Sequence, residues 1–394
     1  MDVLLIGVGA VGEVIAKHLA DDNYITLTVA DIDERRLRSI KRKLRVNVRY
    51  EVVDRKESDD LENIIKGADM VINAANPKLN LRLMQMCQKH SVHYMDLASN
   101  DIDEQLAMND EWEKRNILGL ICMGEDPGLS NMYARYAADR MTQLYSVKIR
   151  DGEFSKSRKY PLVALFSPEI FFEEILMPSV IFENGKYKRV PPFYGRETYE
   201  FPDPVGELTV YSVDHEEVYT LPRYLPKGVR YVDFKLALSD ELINAIRLLK
   251  KIGMLKSRKL RVKNATVAPR DVLFALMPKP SEISRHIEGH ASLVVETEGE
   301  IKGKKASLTL YTLMSHEEAH KLFRTNATAY LTGTIPAALA SLIARDEIEE
   351  KGVIVPEQLD PEPVITEIAK RNVLSYIEVS EEGLMIEKGT VAKS

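Results

Sequence analysis

The sequence predicts an α/β protein in which a doubly wound parallel sheet is followed by an inserted α+β domain. Short apolar runs alternate with helix-like segments through residues 1–128. A glycine-rich turn joins the first apolar run to the first helical segment. Alternating polarity, which is typical of antiparallel strands, begins only beyond residue 129. A chain of 394 residues is also long for a single hydrophobic core, so more than one domain is expected.

The first element is a buried strand that leads into the glycine-rich turn. Residues 3–6 are a continuous apolar run, and apolar residues at helical spacing follow from residue 14 onward. Between them stands G-x-G-x-x-G, in the strand-to-helix context that gives this motif its meaning. The first glycine makes the tight turn, the second lets the backbone approach a pyrophosphate, and the third packs the helix on the strand. The sequence therefore predicts a Rossmann domain, and this turn supplies the following cofactor-binding residues: Gly7, Gly9, Ala10, Val11 and Gly12.

The second strand, residues 25–30, ends at an acidic residue that bears on the choice of cofactor. Asp31 stands where such folds place a carboxylate against the ribose hydroxyls, which favours NAD, and Ile32 follows it in the same loop. Arg35 and Arg36 come soon after and are positioned to reach a 2′-phosphate. NAD and NADP therefore both stay open, with NAD slightly favoured.

Further polar and small residues stand at the ends of the later strands. Ligands of doubly wound sheets bind beyond the carboxyl ends of the strands, so these positions converge on one crevice. We expect the cofactor to contact Asp54, Ala74, Ala75 and Asn76.

The rest of the chain divides into two regions. We predict a Rossmann domain over residues 1–128, a mixed α+β domain over 129–325, to which the family resemblance described below gives the role of a substrate and dimerisation domain, and C-terminal helices over 326–394 that pack back on the first domain. Within the middle region, residues 291–296 and 305–312 have the pattern of a hairpin. Prolines cluster between residues 178 and 204, which indicates loops there.

Composition narrows the classes of partner. The formal net charge of −6 argues against nucleic acid as a ligand. No apolar run is expected to approach the roughly 18 residues of a membrane span. The two cysteines, Cys87 and Cys122, fit a reducing cytoplasm better than a disulfide framework. We therefore expect a cytoplasmic enzyme that has a small-molecule substrate and binds neither nucleic acid nor membrane.

One motif points to different chemistry. Residues 316–320 read H-E-x-x-H, the pattern of zinc peptidases, in which His316 and His320 would bind the metal. The motif lies in a polar connecting segment without an evident third ligand. A surface helix is the favoured interpretation, and no metal is predicted.

Several segments of the chain match the motifs of one family. They are residues 7–12, 69–77 (DMVINAANP), 93–97 (HYMDL), 124–131 (GEDPGLSN), 201–207 (FPDPVGE), 215–222 (HEEVYTLP), 332–338 (TGTIPAA) and 352–357 (GVIVPE). Taken together, these segments resemble the saccharopine dehydrogenase family, which includes saccharopine reductases, lysine 6-dehydrogenases and carboxynorspermidine dehydrogenases. The matching segments follow one another in the family's order over nearly the whole chain, and the GEDPGLSN and HEEVYTLP stretches are the specific ones.

The resemblance implies hydride transfer between NAD(P) and a carbon that bears an amine, and a homodimer. It implies an amino-acid substrate of the saccharopine or lysine type, with imine hydrolysis after the hydride transfer. A carboxynorspermidine-type reductase and a non-catalytic NAD-sensing protein are the alternatives. Saccharopine reductases use a lysine before the fifth strand, where this chain reads His90-Ser91-Val92-His93. That departure favours the branch of the lysine dehydrogenases.

Candidate catalytic residues come from both predicted domains. By match to the family motif, Asp126 occupies the position of the catalytic aspartate of saccharopine reductases. Asp96, at another strand end, and His215, in the second domain, are further candidates to accept a proton from the substrate ammonium. Glu216 is predicted to bind substrate, and Arg223 to bind its carboxylate.

Overall fold

The computed structural model describes residues 1–44, 48–53, 58–157, 159–160, 162–225 and 228–391. In the N-terminal region, strands alternate with helices as the sequence predicts. The elements are β1 (Asp2–Ile6), α1 (Ala10–Ala20), β2 (Thr26–Asp31), α2 (Glu34–Lys43), β3 (Arg49–Val52), α3 (Ser58–Lys66), β4 (Met70–Asn73), α4 (Asn80–His90), β5 (His93–Asp96), α5 (Ile102–Leu106), α6 (Asn109–Lys114) and β6 (Leu118–Leu120).

The middle region contains long strands and short helices. They are α7 (Leu129–Arg140), β7 (Gln143–Ser157), α8 (Pro168–Leu176), β8 (Ser179–Glu183), β9 (Lys186–Val190), β10 (Tyr194–Phe201), β11 (Gly206–Ser212), α9 (Glu217–Tyr224), β12 (Tyr231–Ala237), α10 (Asp240–Ile252), β13 (Leu260–Val262), β14 (Ala265–Val267), α11 (Pro269–Leu276), α12 (Pro280–Ile283), β15 (Ile287–Ile301), β16 (Lys304–Ser315) and α13 (His316–Phe323). The remaining elements are α14 (Ala327–Ala344), β17 (Gly352–Ile354), α15 (Pro361–Ala369), β18 (Ser375–Glu381) and β19 (Leu384–Thr390).

Two large sheets organise most of these elements, and β13 and β14 form a separate two-stranded sheet. The first is a parallel sheet of seven strands in the order β17-β6-β5-β4-β1-β2-β3. Its strands are short and apolar because helices cover both faces of a doubly wound sheet. The second is a mixed sheet whose main path is β10-β11-β12-β7-β15-β16-β18-β19, with β7 and β12 parallel and the other pairs along this path antiparallel. The predicted fold class, α/β with a second mixed domain, is confirmed.

The proline-rich stretch between residues 178 and 204 is not a run of loops, as predicted, but contains β8, β9 and β10. The prolines stand between these strands rather than within them: Pro178 precedes β8, Pro191 and Pro192 separate β9 from β10, and Pro202 follows β10. Because proline interrupts a ladder only where it replaces a bonded N–H, strands can occupy the segments between prolines.

The C-terminal region differs from the predicted set of helices. The short strand β17 extends the first sheet by pairing with β6. The strands β18 and β19 instead join the second sheet through β16. The last part of the chain therefore contributes to both sheets.

Helix α14 packs directly on α1, the helix that follows the glycine-rich turn. A Cβ at Gly333 would lie 2.7 Å from Cβ of Val14, so glycine is needed for this close approach. By length and composition α14 is also apolar enough to cross a membrane, contrary to the prediction that no run has the length of a span. However, 83% of it is buried inside the protein, as in the core helix of a folded domain.

Candidate functional site

The glycine-rich turn has the shape that a dinucleotide requires. Gly7 has a φ of +96°, and a Cβ there would lie 2.8 Å from the nitrogen of Ala75. A Cβ on Gly12 would lie 2.0 Å from the carbonyl oxygen of Gly7. At Gly9, by contrast, no described atom lies within 4 Å of an added Cβ, so the backbone faces open space. This opening at the N-terminus of α1 fits a pyrophosphate, with Ala10 and Val11 in the first turn of the helix.

Asp31 lies at the end of β2 and is almost fully buried. Its Oδ2 accepts the N–H of Val8 at 2.8 Å, and its Oδ1 accepts the N–H of Asp33 at 2.8 Å. The carboxylate thus ties the glycine-rich turn to the loop after β2. The next side chain, Ile32, is 53% exposed, as a platform for a planar base would be. The nearest guanidinium, Arg36, lies 3.8 Å from Asp31.

A second loop, after β4, lies against the glycine-rich turn. Asn73 Oδ1 accepts the N–H of Ala75 at 3.1 Å, and Ala74 N–H donates to the carbonyl of Ile6 at 2.8 Å. Asn76 caps the short 3-10 turn that follows, because its Oδ1 accepts the N–H of Lys78. The structure therefore brings the predicted residues 74–76 to the cofactor side of the sheet. Asp54, another predicted contact, lies outside the described residues.

Asp96 has a different environment from the one predicted for a catalytic carboxylate. It is 1% exposed, its Oδ1 accepts the N–H of Cys122 at 2.8 Å, and its Oδ2 accepts Gln105 Nε2 at 2.7 Å. Burial raises its pKa to about 7. Because protein donors occupy both oxygens, Asp96 holds the ends of β5 and β6 together. This placement argues against the predicted catalytic role.

His215 is held between an aromatic ring and a buried carboxylate. Its ring stacks on Phe234, with centroids 3.8 Å apart and an interplanar angle of 5°. Nδ1 lies 2.5 Å from Oε2 of Glu217, whose Oε1 accepts the hydroxyl of Ser130 at 2.6 Å. Glu217 is fully buried. The ring is thus fixed in both tilt and rotation.

The charge of this imidazole acts on a set of carboxylates, to which Glu153 is linked through Asp151, and we call the whole set the acidic site. It combines the residue after β6 that leads into the second domain with side chains of β7, of α8 and of the start of α9. Its members are Asp126, Asp151, Glu153, Glu174, Glu216 and Glu217.

Burial and mutual repulsion govern the protonation of the acidic site. Burial, with the charge of Asp151 next in importance, raises the pKa of Asp126 well above its usual value. Burial likewise raises the pKa of Asp151 to about 7 and those of Glu153 and Glu174 to about 8. Carboxyls with such values can exchange protons near neutral pH.

His215 carries the balancing positive charge. Burial alone would lower the pKa of its imidazole, but the carboxylates of Glu217, Glu216 and Asp126 more than offset this and raise it well above its usual value. Among the described residues whose charges act on Asp126, His215 is the cation, and the others are carboxylates. The structure therefore brings together the predicted Asp126 and His215.

Glu216 and Arg223 bridge the two parts of the molecule. Glu216 Oε1 accepts the N–H of Ser99, in the loop after β5, at 2.8 Å. Arg223, at the other end of α9, pairs with Asp103 of α5 and is partly exposed. Arg223 thus has a protein carboxylate as its partner, which argues against its predicted role as the anchor of a substrate carboxylate.

The sequence analysis missed four members of the acidic site. Glu217 was passed over in favour of its neighbour Glu216, since nothing in the sequence shows which of two adjacent acids is buried. Asp151 and Glu153 alternate along β7 and thus share one face of that strand. An acid at every second position of a strand in the apolar second domain is the signal that was available. Glu174 lies on a short helix and offers no such signal.

Within the described residues, His215, Glu216 and Glu217 are also a group that could hold a metal ion, with ligand atoms within 4.8 Å of one another. The Nδ1 atom of His215 is occupied by its hydrogen bond to Glu217. The ordinary chemistry of these contacts is an imidazole oriented by a carboxylate.

Fold and site together define an NAD(P)-dependent oxidoreductase with a second, mixed-sheet region. Residues 3–120 match the family model of the saccharopine dehydrogenase NADP binding domain, and residues 124–374 match that of the saccharopine dehydrogenase C-terminal domain. The chain belongs to the saccharopine dehydrogenase family.

Curated relatives are similar in sequence to this chain over nearly its whole length. The carboxynorspermidine synthase of Vibrio cholerae is 30% identical, over 93% of this chain and 94% of that protein. The carboxyaminopropylagmatine dehydrogenase of a Synechocystis species is 24% identical, over 93% of this chain and 95% of that protein.

Solved structures support the same fold. The apo saccharopine dehydrogenase (L-Glu forming) of Saccharomyces cerevisiae superposes with a TM-score of 0.71 at 16% identity, covering 99% of this chain and 100% of that one. The homospermidine synthase of Legionella pneumophila, solved with NAD, has a TM-score of 0.71 at 15% identity, covering 95% and 91%.

Proposed function

We propose that this protein is an NAD(P)H-dependent reductase that joins an amino-acid aldehyde to one end of a diamine and so forms a carboxylated polyamine. The single observation that carries the proposal is the acidic site, in which the charges of buried carboxylates interact with that of one imidazole. Buried charges are stable only when they are paired. A substrate with several ammonium groups supplies the missing partners.

The alternative substrate, saccharopine, fits this site less well. Saccharopine carries more carboxylates than amine nitrogens, so it would bring further negative charge to a group of acids. The names of the curated relatives point the same way, since carboxynorspermidine and carboxyaminopropylagmatine each contain a secondary amine between a carboxylated arm and a cationic chain. We therefore propose an amine substrate of the polyamine type in place of the lysine-pathway substrate expected from the sequence.

The residues supply the proton transfers that this reaction needs. The positive charge of His215 favours the ionised form of Asp126. This carboxylate accepts a proton from the substrate ammonium, which frees the amine to attack the aldehyde carbon. His215, held as an imidazolium by Glu217, donates a proton to the departing hydroxyl, so that water leaves and a protonated imine remains. The neighbouring carboxylates stabilise the positive charge of that imine. When bound, the nicotinamide supplies the hydride that reduces the imine carbon to a secondary amine.

The reaction balances with these components. The aldehyde and the primary amine lose one water to give the imine, and the imine gains a hydride from NAD(P)H and a proton to give the secondary amine and NAD(P)⁺. The glycine-rich turn, the loop after β4 and the region around Asp31 and Ile32 hold the dinucleotide.

The proposal is tested by offering the purified protein NADH or NADPH with aspartate β-semialdehyde, the aldehyde that corresponds to a carboxy-aminopropyl arm. Putrescine (1,4-diaminobutane), 1,3-diaminopropane and agmatine serve as amines, and 2-oxoglutarate with lysine serves as the saccharopine-type pair. We expect oxidation of the dinucleotide and a secondary-amine product of matching mass only with aspartate β-semialdehyde and a diamine or agmatine. Turnover with 2-oxoglutarate and lysine alone would contradict the proposal.

A further inference from the structure

We infer that Glu153, held in place by His316 through Ser155, binds the far ammonium of the diamine and thereby selects diamines over monoamines. This inference rests on the proposed function. It also gives a role to the first histidine of the H-E-x-x-H segment. The predicted surface helix is present, with Glu317 and Glu318 exposed, but His316 at its first position is fully buried.

The contacts of His316 fix its protonation pattern. The backbone N–H of Ala327 donates to Nδ1 at 3.1 Å, so this nitrogen carries no proton. Burial lowers the pKa of the imidazole to about 4, so the ring is neutral and its proton is on Nε2. Nε2 lies 2.7 Å from the hydroxyl of Ser155 and donates to it. A metal ion bound at Nδ1 or Nε2 of His316 would have to displace these hydrogen bonds.

Ser155 passes this orientation on to Glu153. Because its oxygen accepts from His316, the hydroxyl proton of Ser155 is free to donate to Oε1 of Glu153, at 2.7 Å. Thr328 lies 3.3 Å from the other oxygen, Oε2. The side chain of Glu153 is 17% exposed. A chain of neutral donors therefore aims the carboxyl group of Glu153, and an ammonium bound beside it would favour its ionised form.

The position of Glu153 suits the far end of a diamine. It lies two residues beyond Asp151 on β7, so the two side chains share a face of the strand about 7 Å apart along it. The two nitrogens of extended 1,4-diaminobutane are separated by roughly 6 Å. With one nitrogen beside Asp126 and Asp151, the other reaches Glu153.

A second carboxylate at the same place lacks a partner. Glu125 is 3% exposed, and within the described residues its Oε1 is buried without a hydrogen-bond donor. Its charge interacts with those of Asp126, Asp151 and Glu153. An ammonium at this point would supply the missing donor to Glu125 and a counter-charge to Glu153.

The test compares 1,4-diaminobutane with butylamine, which has the same chain and lacks the far ammonium. In the wild type we expect kcat/KM for the diamine to exceed that for the monoamine by roughly 10–100-fold, the effect of one well-placed polar group. Glu153→Gln should reduce this ratio to within about threefold of one, mainly through the KM for the diamine. The matched control is Glu298→Gln, at an exposed glutamate of the neighbouring strand β15, which should keep the wild-type ratio.

Two histidine variants separate positioning from folding. His316→Asn keeps an acceptor for the N–H of Ala327 and loses the donor to Ser155. His316→Gln, with its longer side chain, places its amide towards Ser155. We expect His316→Asn to lower the diamine ratio about 3–10-fold with an unchanged melting temperature, and His316→Gln to restore part of it. A wild-type ratio in Glu153→Gln would overturn the inference. Absence of turnover by the wild-type protein with every amine would instead overturn the proposed function.

Discussion

The cofactor turn and the acidic site are built in different ways. The turn is made of consecutive residues, and its function depends on missing side chains: a Cβ at Gly12 would lie 2.0 Å from a backbone oxygen. The acidic site is made of side chains from β7, α8, α9 and the residues after β6, and its function depends on charges that burial makes unfavourable.

This difference separates what is general from what is specific in the molecule. A pyrophosphate is recognised by backbone N–H groups, so sequence around the turn is free to vary as long as the glycines stay. Under the proposed function, a substrate amine is recognised by carboxylates whose pKa values depend on their neighbours, so each member changes the others. We expect substitutions in the turn to act on binding alone and those in the acidic site to act on chemistry and pH dependence together.

The largest expected effect is the loss of dinucleotide binding in Gly12→Val. The added side chain collides with the carbonyl of Gly7 and forces the helix away from the strand. Calorimetry with NADH and NADPH should detect no binding. The control is Gly67→Ala, where an added Cβ would lie 3.6 Å from the nearest described atom. Its affinity should stay within about twofold of the wild type, and unaltered binding by Gly12→Val would refute the cofactor assignment.

A second test separates a carboxylate of the site from a carboxylate of the scaffold. Asp126→Asn keeps the size of the side chain but cannot accept the ammonium proton, so turnover should fall roughly 10²–10⁴-fold with little change in dinucleotide affinity.

Asp96→Asn is its matched partner. It places an amide among the donors of Cys122 and Gln105 and should cost about 1–3 kcal/mol of stability. Turnover per folded molecule should stay near the wild-type value. Equal losses of turnover in both variants would show that Asp96 belongs to the chemistry.

A smaller effect is expected at the edge of the cofactor site. Asp31→Ala removes the acceptor for the N–H groups of Val8 and Asp33 and the carboxylate available to ribose hydroxyls. We expect NADH binding to weaken by about 1–3 kcal/mol and NADPH binding by less. Titration of both dinucleotides measures the difference. A wild type that strongly prefers NADPH would assign recognition to Arg35 or Arg36 instead.

The smallest effect is a change of stability with pH. Asp151, Glu153 and Glu174 have pKa values of about 7 to 8 in the folded protein, above those of an unfolded chain. At pH values between the unfolded-state pKa and the folded-state pKa, the folded protein binds more protons than the unfolded chain. The melting temperature without ligand should therefore fall as pH rises from about 4 to 8. Added 1,4-diaminobutane should raise the melting temperature more at pH 8 than at pH 5. Scanning calorimetry would expose an opposite trend, and with it a misassigned acidic site.

Prediction from sequence succeeded where the determinants are local. Residues 3–12 contain both the strand pattern and the glycines, so fold and cofactor follow from one short segment. Asp126 and His215 were found as members of specific motifs, but their neighbourhood was not, since Glu174 and Asp151 approach only through the pairing of distant elements. Asp96 illustrates the limit of such a signal: a carboxylate at a strand end has the same sequence signal whether it faces a crevice or, as here, accepts hydrogen bonds from Cys122 and Gln105.

The burial of His316 was also not predicted, because the contacts that cause it join residues distant in sequence. A helix of polar residues has one side towards the protein, and His316 occupies that side because Ser155 and the N–H of Ala327 supply partners for both ring nitrogens. Neither partner is adjacent in sequence, so polarity alone indicated a surface.

The pairing of β17 with β6 has a consequence for synthesis of the protein. Six strands of the first sheet are complete once residue 120 has been made, but the seventh is supplied by residues 352–354, after almost the whole second sheet. While the ribosome translates the intervening residues, β6 presents an open edge, which is a template for pairing with another chain. The nascent N-terminal domain thus lacks its last strand while more than half of the protein is translated. A chaperone bound to the open edge of β6 during that time would prevent its pairing with another chain.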